Sequence, residues 1–209
     1  MCQLTGTRMH LQQLSSPNAI ELVSAAKSEG VRVTCEVSPH HFSLTDEAVE
    51  TFEQRYKLLP PLRTRGHVES IKECIINGNV DAIATCHSPN PPHKEDLPFE
   101  EAPFGGIGLE TALAVSLTEL DSTIEKILSL LSWMPAVIAG IGDSHGGVLS
   151  TGRPGNIVVI DTSVLWKPVG SEMASKSNNT PFEGSPLKGK VRHTIVNGEV
   201  VVLDGEAQR

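Results

Sequence analysis

The chain has 209 residues, 17 basic and 25 acidic, for a formal net charge of −8. This length can enclose a sizeable core, while the acidic balance argues against a nucleic-acid or anionic-membrane binder, because both need a basic surface. The longest mostly apolar run, 127–141, contains Pro135 and Gly140 and is shorter than the roughly 20 residues of a bilayer span.

Targeting and redox signals are weak. The first residues, MCQLTGTRMH, lack a charged leader followed by an apolar stretch, so no signal peptide is expected. The four cysteines are widely spaced and none forms a CxxC pair. We therefore predict no disulfide framework and a cytoplasmic location.

The first part of the chain is predicted to consist of repeated αβ units. Alternating and helical apolar periods predict a strand over 8–14, a helix over 19–29 and a strand over 31–37. The same signals then predict a helix over 66–77 and a strand over 80–85. Two αβ units are too few for a closed (β/α)8 barrel, which takes about 250 residues, so the pattern indicates part of a larger fold.

The remainder changes character near Gly140, where Gly, Ser and β-branched residues become common. Asn197-Gly198 between two β runs is a strong hairpin signal. We predict a partial (β/α) barrel over 1–140 and a β-rich segment over 141–209. The other predicted elements are a long loop (86–105), two helices (109–120 and 122–133), a strand (156–161) and a hairpin (191–203).

Four clusters of candidate functional residues follow predicted strands, where α/β barrels place active sites. Each, taken alone, is more typical of a structural role than of catalysis. Cys86 with His87 is compatible with a zinc ligand or a nucleophile, yet no second cysteine lies at ligand spacing. The clusters are 10–13 with His10, 36–41 with the pair His40-His41 on a predicted extended segment, KLLPPLR (57–63) in which Arg63 could pair with a carboxylate, and 85–90 with His93 nearby.

These clusters occur in the order found in a known family. RMHLQQLSS, VTCEVSPHHF, YKLLPPLR, DAIATCHSPN, APFGGIGLETAL, SKSNNTPFEG and TIVNGEVV resemble successive motifs in the C-terminal part of bacterial dihydroorotases, which belong to the amidohydrolase superfamily. The resemblance implies an α/β fold, namely the C-terminal half of a metal-dependent-hydrolase (β/α)8 barrel, TIM-like, plus a small β-rich C-terminal segment.

The same resemblance implies the family's chemistry and partners. Dihydroorotases interconvert N-carbamoyl-L-aspartate and dihydroorotate in pyrimidine biosynthesis, using zinc to activate water. A small-molecule substrate, zinc as cofactor, and a homo-oligomer or a complex with another chain are therefore expected, with no nucleic acid or membrane partner.

Several positions depart from the family pattern. The second metal-binding His falls on Gln13, and the metal-binding, proton-shuttling Asp falls on Cys86. The substrate-contacting Asn and His fall on Leu59 and Asn90. The backbone of Phe104 and Gly105, which resembles the substrate-binding loop, is kept. The family's remaining metal ligands belong to an N-terminal half that this sequence does not contain.

These departures predict a chain that is catalytically impaired on its own and binds zinc poorly. Two alternatives remain open. The chain could serve as a non-catalytic partner of an active dihydroorotase or an aspartate transcarbamoylase, or as an allantoinase- or hydantoinase-like cyclic amidohydrolase.

Overall fold

A parallel three-stranded sheet forms the first layer of the fold. The structure, a computed structural model, describes residues 2–94 and 97–208. The strands are in the order β1-β2-β3, with Met9 paired to Val33 and Glu36 paired to Ala82. Parallel neighbours require crossover helices, which confirms the predicted αβ units. The strands are β1 (Met9–Leu11), β2 (Val33–Val37) and β3 (Ala82–Ile83).

The two crossover helices begin and end close to the predicted positions. A short α1 (Cys2–Thr5) comes first, and α2 (Pro17–Ser28) then starts with proline, whose missing N–H costs nothing in the first turn. The second crossover helix, α3 (Arg65–Ile76), buries Val68, Ile71, Cys74 and Ile75. That three- and four-residue spacing places one apolar stripe against the sheet.

The helical part after the long loop runs further than predicted. After α4 (Ala112–Glu119), residues 124–139 are continuously helical rather than ending at 133. Pro135 cannot donate a backbone hydrogen bond. It follows closely on a π-helical turn, whose hydrogen bonds span one more residue than those of an α-helix, and the helix continues through the proline. The run comprises α5 (Ile124–Leu128), the π-helical turn Ser129–Trp133 and α6 (Met134–Ala139).

A four-stranded antiparallel sheet follows, as predicted for the β-rich segment. Asn197 and Gly198 have φ of 52° and 86°, the left-handed values that a two-residue hairpin turn needs. The first strand continues to Trp166 rather than ending at 161, because pairing with β5 resumes beyond an irregularity after Asp161. The strands are β4 (Ile157–Trp166), β5 (Leu187–Val196), β6 (Glu199–Leu203) and β7 (Glu206–Ala207).

One hydrophobic cluster joins the two layers. Phe182 and Leu187 are 3% exposed and share a cluster with Val37, Ile71 and Val115. The predicted division near residue 140 coincides with the end of α6, where Gly140 has a φ of 75°. The division into separate domains stays a prediction. Within 2–94 and 97–208, no helix is long and apolar enough to cross a membrane.

Candidate functional site

The carboxyl ends of β1 and β2 bring a histidine and a carboxylate together. His10 Nε2 lies 3.0 Å from Glu36 Oε2, and His10 Nδ1 lies 2.8 Å from Thr34 Oγ1. Thr34 and Glu36 share one face of β2 because alternate residues of a strand point the same way. The carboxylate accepts from Nε2–H, and the threonine hydroxyl donates to Nδ1. Both imidazole nitrogens are therefore engaged within the protein.

His40 and His41 lie in a 3₁₀ turn, Pro39–Phe42, so the expected extended segment is wrong at this point. Pro39 starts the turn, since its fixed φ suits a first helical position. His41 Nε2 lies 2.9 Å from the carbonyl of Pro60 and His41 Nδ1 lies 2.8 Å from Ser38 Oγ. The His41 ring thus links the end of β2 to the segment that contains Pro60 and Pro61.

Burial controls the charge of this histidine pair. Burial, followed by the neighbouring His41, lowers the pKa of His40 to about 3, and burial also lowers the pKa of His41. The Nε2 atom of His40 is buried and has no hydrogen-bond partner among the described residues. Both rings are neutral near pH 7, because a protonated ring there would lose its hydration without a compensating charge.

Cys86 follows β3 and sits beside the end of β2. Burial raises the pKa of its thiol; a hydrogen bond with Ser38 acts in the opposite direction, and the Glu36 carboxylate adds to the increase. The thiol is therefore protonated at neutral pH. Its φ of 51° is uncommon for a residue other than glycine, and such backbone strain concentrates at functional sites.

His87 holds the start of the helical segment that follows the long loop. Its Nδ1 accepts from the backbone N–H groups of Gly108 and Leu109, each at 3.3 Å. A Cβ at Gly108 would lie 2.2 Å from the carbonyl oxygen of Thr85. Only glycine allows this approach, which packs the loop end against the end of β3.

The Phe104–Gly105 backbone is fixed from several sides. Gly105 has a φ of 122°, and its N–H donates to the carbonyl of Lys57 at 2.9 Å. The Gly105 carbonyl accepts from Asn179 Nδ2 at 2.9 Å and from Asn90 Nδ2 at 3.4 Å. Two predicted site positions, Asn90 and Gly105, are thus brought together.

Lys57 anchors the second half of the long loop. Its ammonium donates to the carbonyls of Phe99 and Glu100 at 2.6 and 2.9 Å. The same group lies 5.1 Å from the centre of the Phe104 ring, which is within cation–π range. Phe104 remains 51% exposed and Leu59 62% exposed, so both predicted positions present apolar surface to solvent.

Arg63 pairs with a hydroxyl rather than with a protein carboxylate among the described residues, which agrees with the structural turn that the segment taken alone favours. Its guanidinium donates to Ser15 Oγ at 3.3 Å from both Nε and Nη2, and no ion pair of Arg63 occurs among the described residues. Ser15 lies in the segment that leads into α2. Arg63 therefore links two loops near the strand ends.

The donor atoms do not suit zinc. Gln13, with a φ of 53°, offers an amide oxygen, which is a poor zinc ligand beside imidazole, and Cys86 offers a single sulfur donor. Zinc sites are built from imidazole, thiolate and carboxylate ligands, and His10 already uses both ring nitrogens. Among residues 2–94 and 97–208, no three His, Cys, Asp or Glu side chains form a group able to hold a metal ion. The residues at the metal positions therefore do not fit the cofactor that the resemblance implies.

Sequence reasoning missed the side chains that organise these strand ends: Thr34, Glu36 as the partner of His10, Ser38 between His41 and Cys86, and Lys57 as the loop anchor. A signal existed for the first two, because period-two alternation along β2 places Thr34 and Glu36 on the face opposite Val33, Cys35 and Val37.

The chain is similar in sequence to curated dihydroorotases along almost its whole length. It is 38% identical to that of Citrifermentans bemidjiense over 204 residues, covering 96% of this chain and 47% of the relative. It is 41% identical over 209 residues to that of Pelotomaculum thermopropionicum, covering 98% and 48%. Over the part that it covers, the chain is therefore a sequence relative of dihydroorotases. It spans about half the length of the curated relatives it matches.

Solved structures confirm the fold class for this dihydroorotase relative. The L-hydantoinase (dihydropyrimidinase) of Arthrobacter aurescens superposes with a TM-score of 0.91 at 27% identity, over 99% of this chain and 47% of that one. A D-hydantoinase from Thermus sp. gives 0.90 at 23% identity, over 99% and 47%, a likeness of fold. No protein-family model matches the chain. A partial TIM-like barrel with a β-rich segment therefore describes it.

Proposed function

We propose that this chain is a dihydroorotase-like protein that does not catalyse the zinc-dependent family reaction by itself. That reaction, as implied by the resemblance, interconverts N-carbamoyl-L-aspartate and dihydroorotate. The observation that carries the proposal is the donor set: Gln13 offers an amide oxygen and Cys86 a sulfur at positions where the family has an imidazole and a proton-shuttling carboxylate. We also propose a cytoplasmic location, which the four free cysteines support.

Other retained features support binding of a small cyclic amide rather than its hydrolysis. The fixed Phe104–Gly105 backbone keeps the loop that resembles the family's substrate loop, with the Gly105 carbonyl held by two amides. The substrate positions Leu59 and Asn90 bear no charge. Because anionic substrates are usually held by charged donors, these two residues favour weak recognition of a carboxylated ring.

The test is a hydrolysis assay of dihydroorotate with the purified chain and added zinc. We expect no turnover above a protein-free control. Zinc-dependent turnover that a chelator abolishes would overturn the proposal.

A matched variant separates metal binding from catalysis. Gln13→His with Cys86→Asp introduces an imidazole and a carboxylate at the family's metal positions. After dialysis against micromolar zinc, we expect the variant to retain more zinc per chain than the wild type. Equal retention would show that these two positions do not limit metal binding.

A second candidate, a non-catalytic partner of another chain, is favoured by uncovered apolar surface. Among the described residues, the outer edges of β1 and β3 have no neighbouring strand, and Val158, Val196, Val200 and Leu203 are at least 44% exposed on the antiparallel sheet. Unpaired edges and exposed apolar side chains favour association. Sedimentation analysis showing a monomer at micromolar concentration, alone and mixed with an active dihydroorotase or an aspartate transcarbamoylase, would exclude it.

A hydantoinase-like or allantoinase-like activity is the third candidate. The structural match to the L-hydantoinase favours this candidate, and the exposed Leu59 suits a ring with an apolar substituent. The same assay with a 5-substituted hydantoin and with allantoin tests it. We expect no turnover, since the same donor set serves each reaction.

A further inference from the structure

A polar cavity lies beside the candidate site. It has a volume of about 550 Å³ and is bounded by residues 52–55, by Asn90, Lys94, Ala102 and Pro103 of the long loop, and by the segment 170–183. That volume is within the range of small-molecule sites. Asn90 and Asn179 line it and also donate to the Gly105 carbonyl. The cavity is thus directly behind the loop backbone described above.

The charged groups of the cavity are of both signs. Arg55 and Glu53 form an ion pair, with Nε 2.7 Å from Oε2. Lys94 and Glu183 also line the cavity, yet neither has an ion-pair partner among the described residues. Within the part of the chain that the structure describes, the cavity therefore presents the Lys94 ammonium and the Glu183 carboxylate outside any ion pair.

The contacts already made leave polar atoms of Glu183 and Arg55 available to a ligand. Glu183 accepts from the Gly170 N–H at 2.8 Å through Oε2, so its second oxygen is free for a ligand. The Arg55–Glu53 pair uses only Nε, and the outer nitrogens of the guanidinium remain as donors. A ligand with one charge would be attracted by either Lys94 or Glu183 and repelled by the other.

We propose that this cavity binds a small zwitterion, a molecule of amino-acid size that carries one carboxylate and one ammonium group. Its carboxylate pairs with Lys94 and the outer nitrogens of Arg55, and its ammonium pairs with Glu183. The carboxamides of Asn90 and Asn179 line the rest of the cavity and suit a polar backbone. This binding is independent of the proposed lack of hydrolysis, because it uses neither Gln13 nor Cys86.

Calorimetric titration of the full chain at low ionic strength tests the proposal. The probes are L-glutamine and γ-aminobutyrate, which differ in the separation of their charges. Succinate and 1,4-diaminobutane are comparators of similar size with charges of one sign only. We expect saturable binding of at least one zwitterion, tighter than that of either comparator, and weaker binding as salt is added.

Variants locate the site. Lys94→Met and Glu183→Gln should each weaken zwitterion binding about threefold, as expected for partly exposed ion pairs. Lys188→Met and Glu29→Gln, which remove the same charges outside the cavity, should leave it unchanged. Absence of saturable binding by both zwitterions would overturn the proposal, and so would equal binding of succinate with no effect of Glu183→Gln.

Discussion

His40 shows at the residue scale how burial controls charge at this site. Its ring is completely buried, its Nε2 has no partner among the described residues, and burial lowers its pKa from 6.5 to about 3. The unfolded chain binds a proton at this residue below pH 6.5, whereas the folded chain does not until near pH 3. Stability from this group is therefore complete above pH 6.5 and is lost as the pH falls below it.

Replacing His40 with glutamine removes this proton linkage. Between pH 7 and pH 5 we expect the free energy of unfolding of the wild type to fall by about 2 kcal/mol more than that of His40→Gln. Urea unfolding at a series of pH values measures the difference. His145→Gln, at an exposed position, is the control and should follow the wild type. Parallel curves for the wild type and His40→Gln would contradict the assignment.

The Cys86 thiol should react slowly with alkylating agents. Burial raises its pKa, and the thiolate is the reactive species. At pH 7.5 we expect iodoacetamide to modify Cys86 at least about tenfold more slowly than an unstructured cysteine peptide, with the rate rising as the pH increases. Mass spectrometry of the Cys86 peptide gives the rate. Modification at the peptide's rate would indicate an exposed thiolate.

At the scale of secondary-structure elements, α3 packs against the protein through one apolar face. Ile71 is completely buried against the sheet, whereas Ile76 in the same helix is 41% exposed. Ile71→Ala should lower the free energy of unfolding by about 2–5 kcal/mol, and the matched Ile76→Ala by less than about 1 kcal/mol. Denaturant titration of both variants gives the comparison. Equal losses would mean that the helix packs through a different face.

The same helix explains what sequence could predict. Val68, Ile71 and Ile75 repeat at a local spacing, so α3 is found within one residue of its observed ends. The His10–Glu36 contact joins residues 26 positions apart, and no local period encodes such a distance. The His40-His41 turn was missed because Pro39 starts a 3₁₀ turn where an extended run was expected. Contacts set by tertiary packing, including those of Ser38 and Lys57, require the fold.

On the scale of the whole molecule, both layers depend on one core. Phe182 and Leu187 pack in the cluster that contains Ile71 and Val115, and Trp166 Nε1 donates to the Gly189 carbonyl at 2.8 Å within the antiparallel sheet. Removing the parallel sheet with its helices, or the antiparallel sheet, would expose this shared cluster to water. Each part is therefore stabilised by apolar surface that the other part buries. The antiparallel sheet is thus coupled to the helices even though its strands pair only among themselves.

This coupling predicts a single unfolding transition. The chain has two tryptophans, Trp133 in the helical run and Trp166 in β4. Trp166→Phe leaves the fluorescence of Trp133 in the helical run, and Trp133→Phe leaves that of Trp166 in the antiparallel sheet. In each variant, we expect the fluorescence midpoint in urea to coincide with the midpoint by far-ultraviolet circular dichroism, as two-state unfolding requires. If the residues before and after 140 fold as separate domains instead, fluorescence and circular dichroism would diverge in both variants. Phe182→Ala should then shift only one transition, whereas a shared core makes it lower both midpoints together.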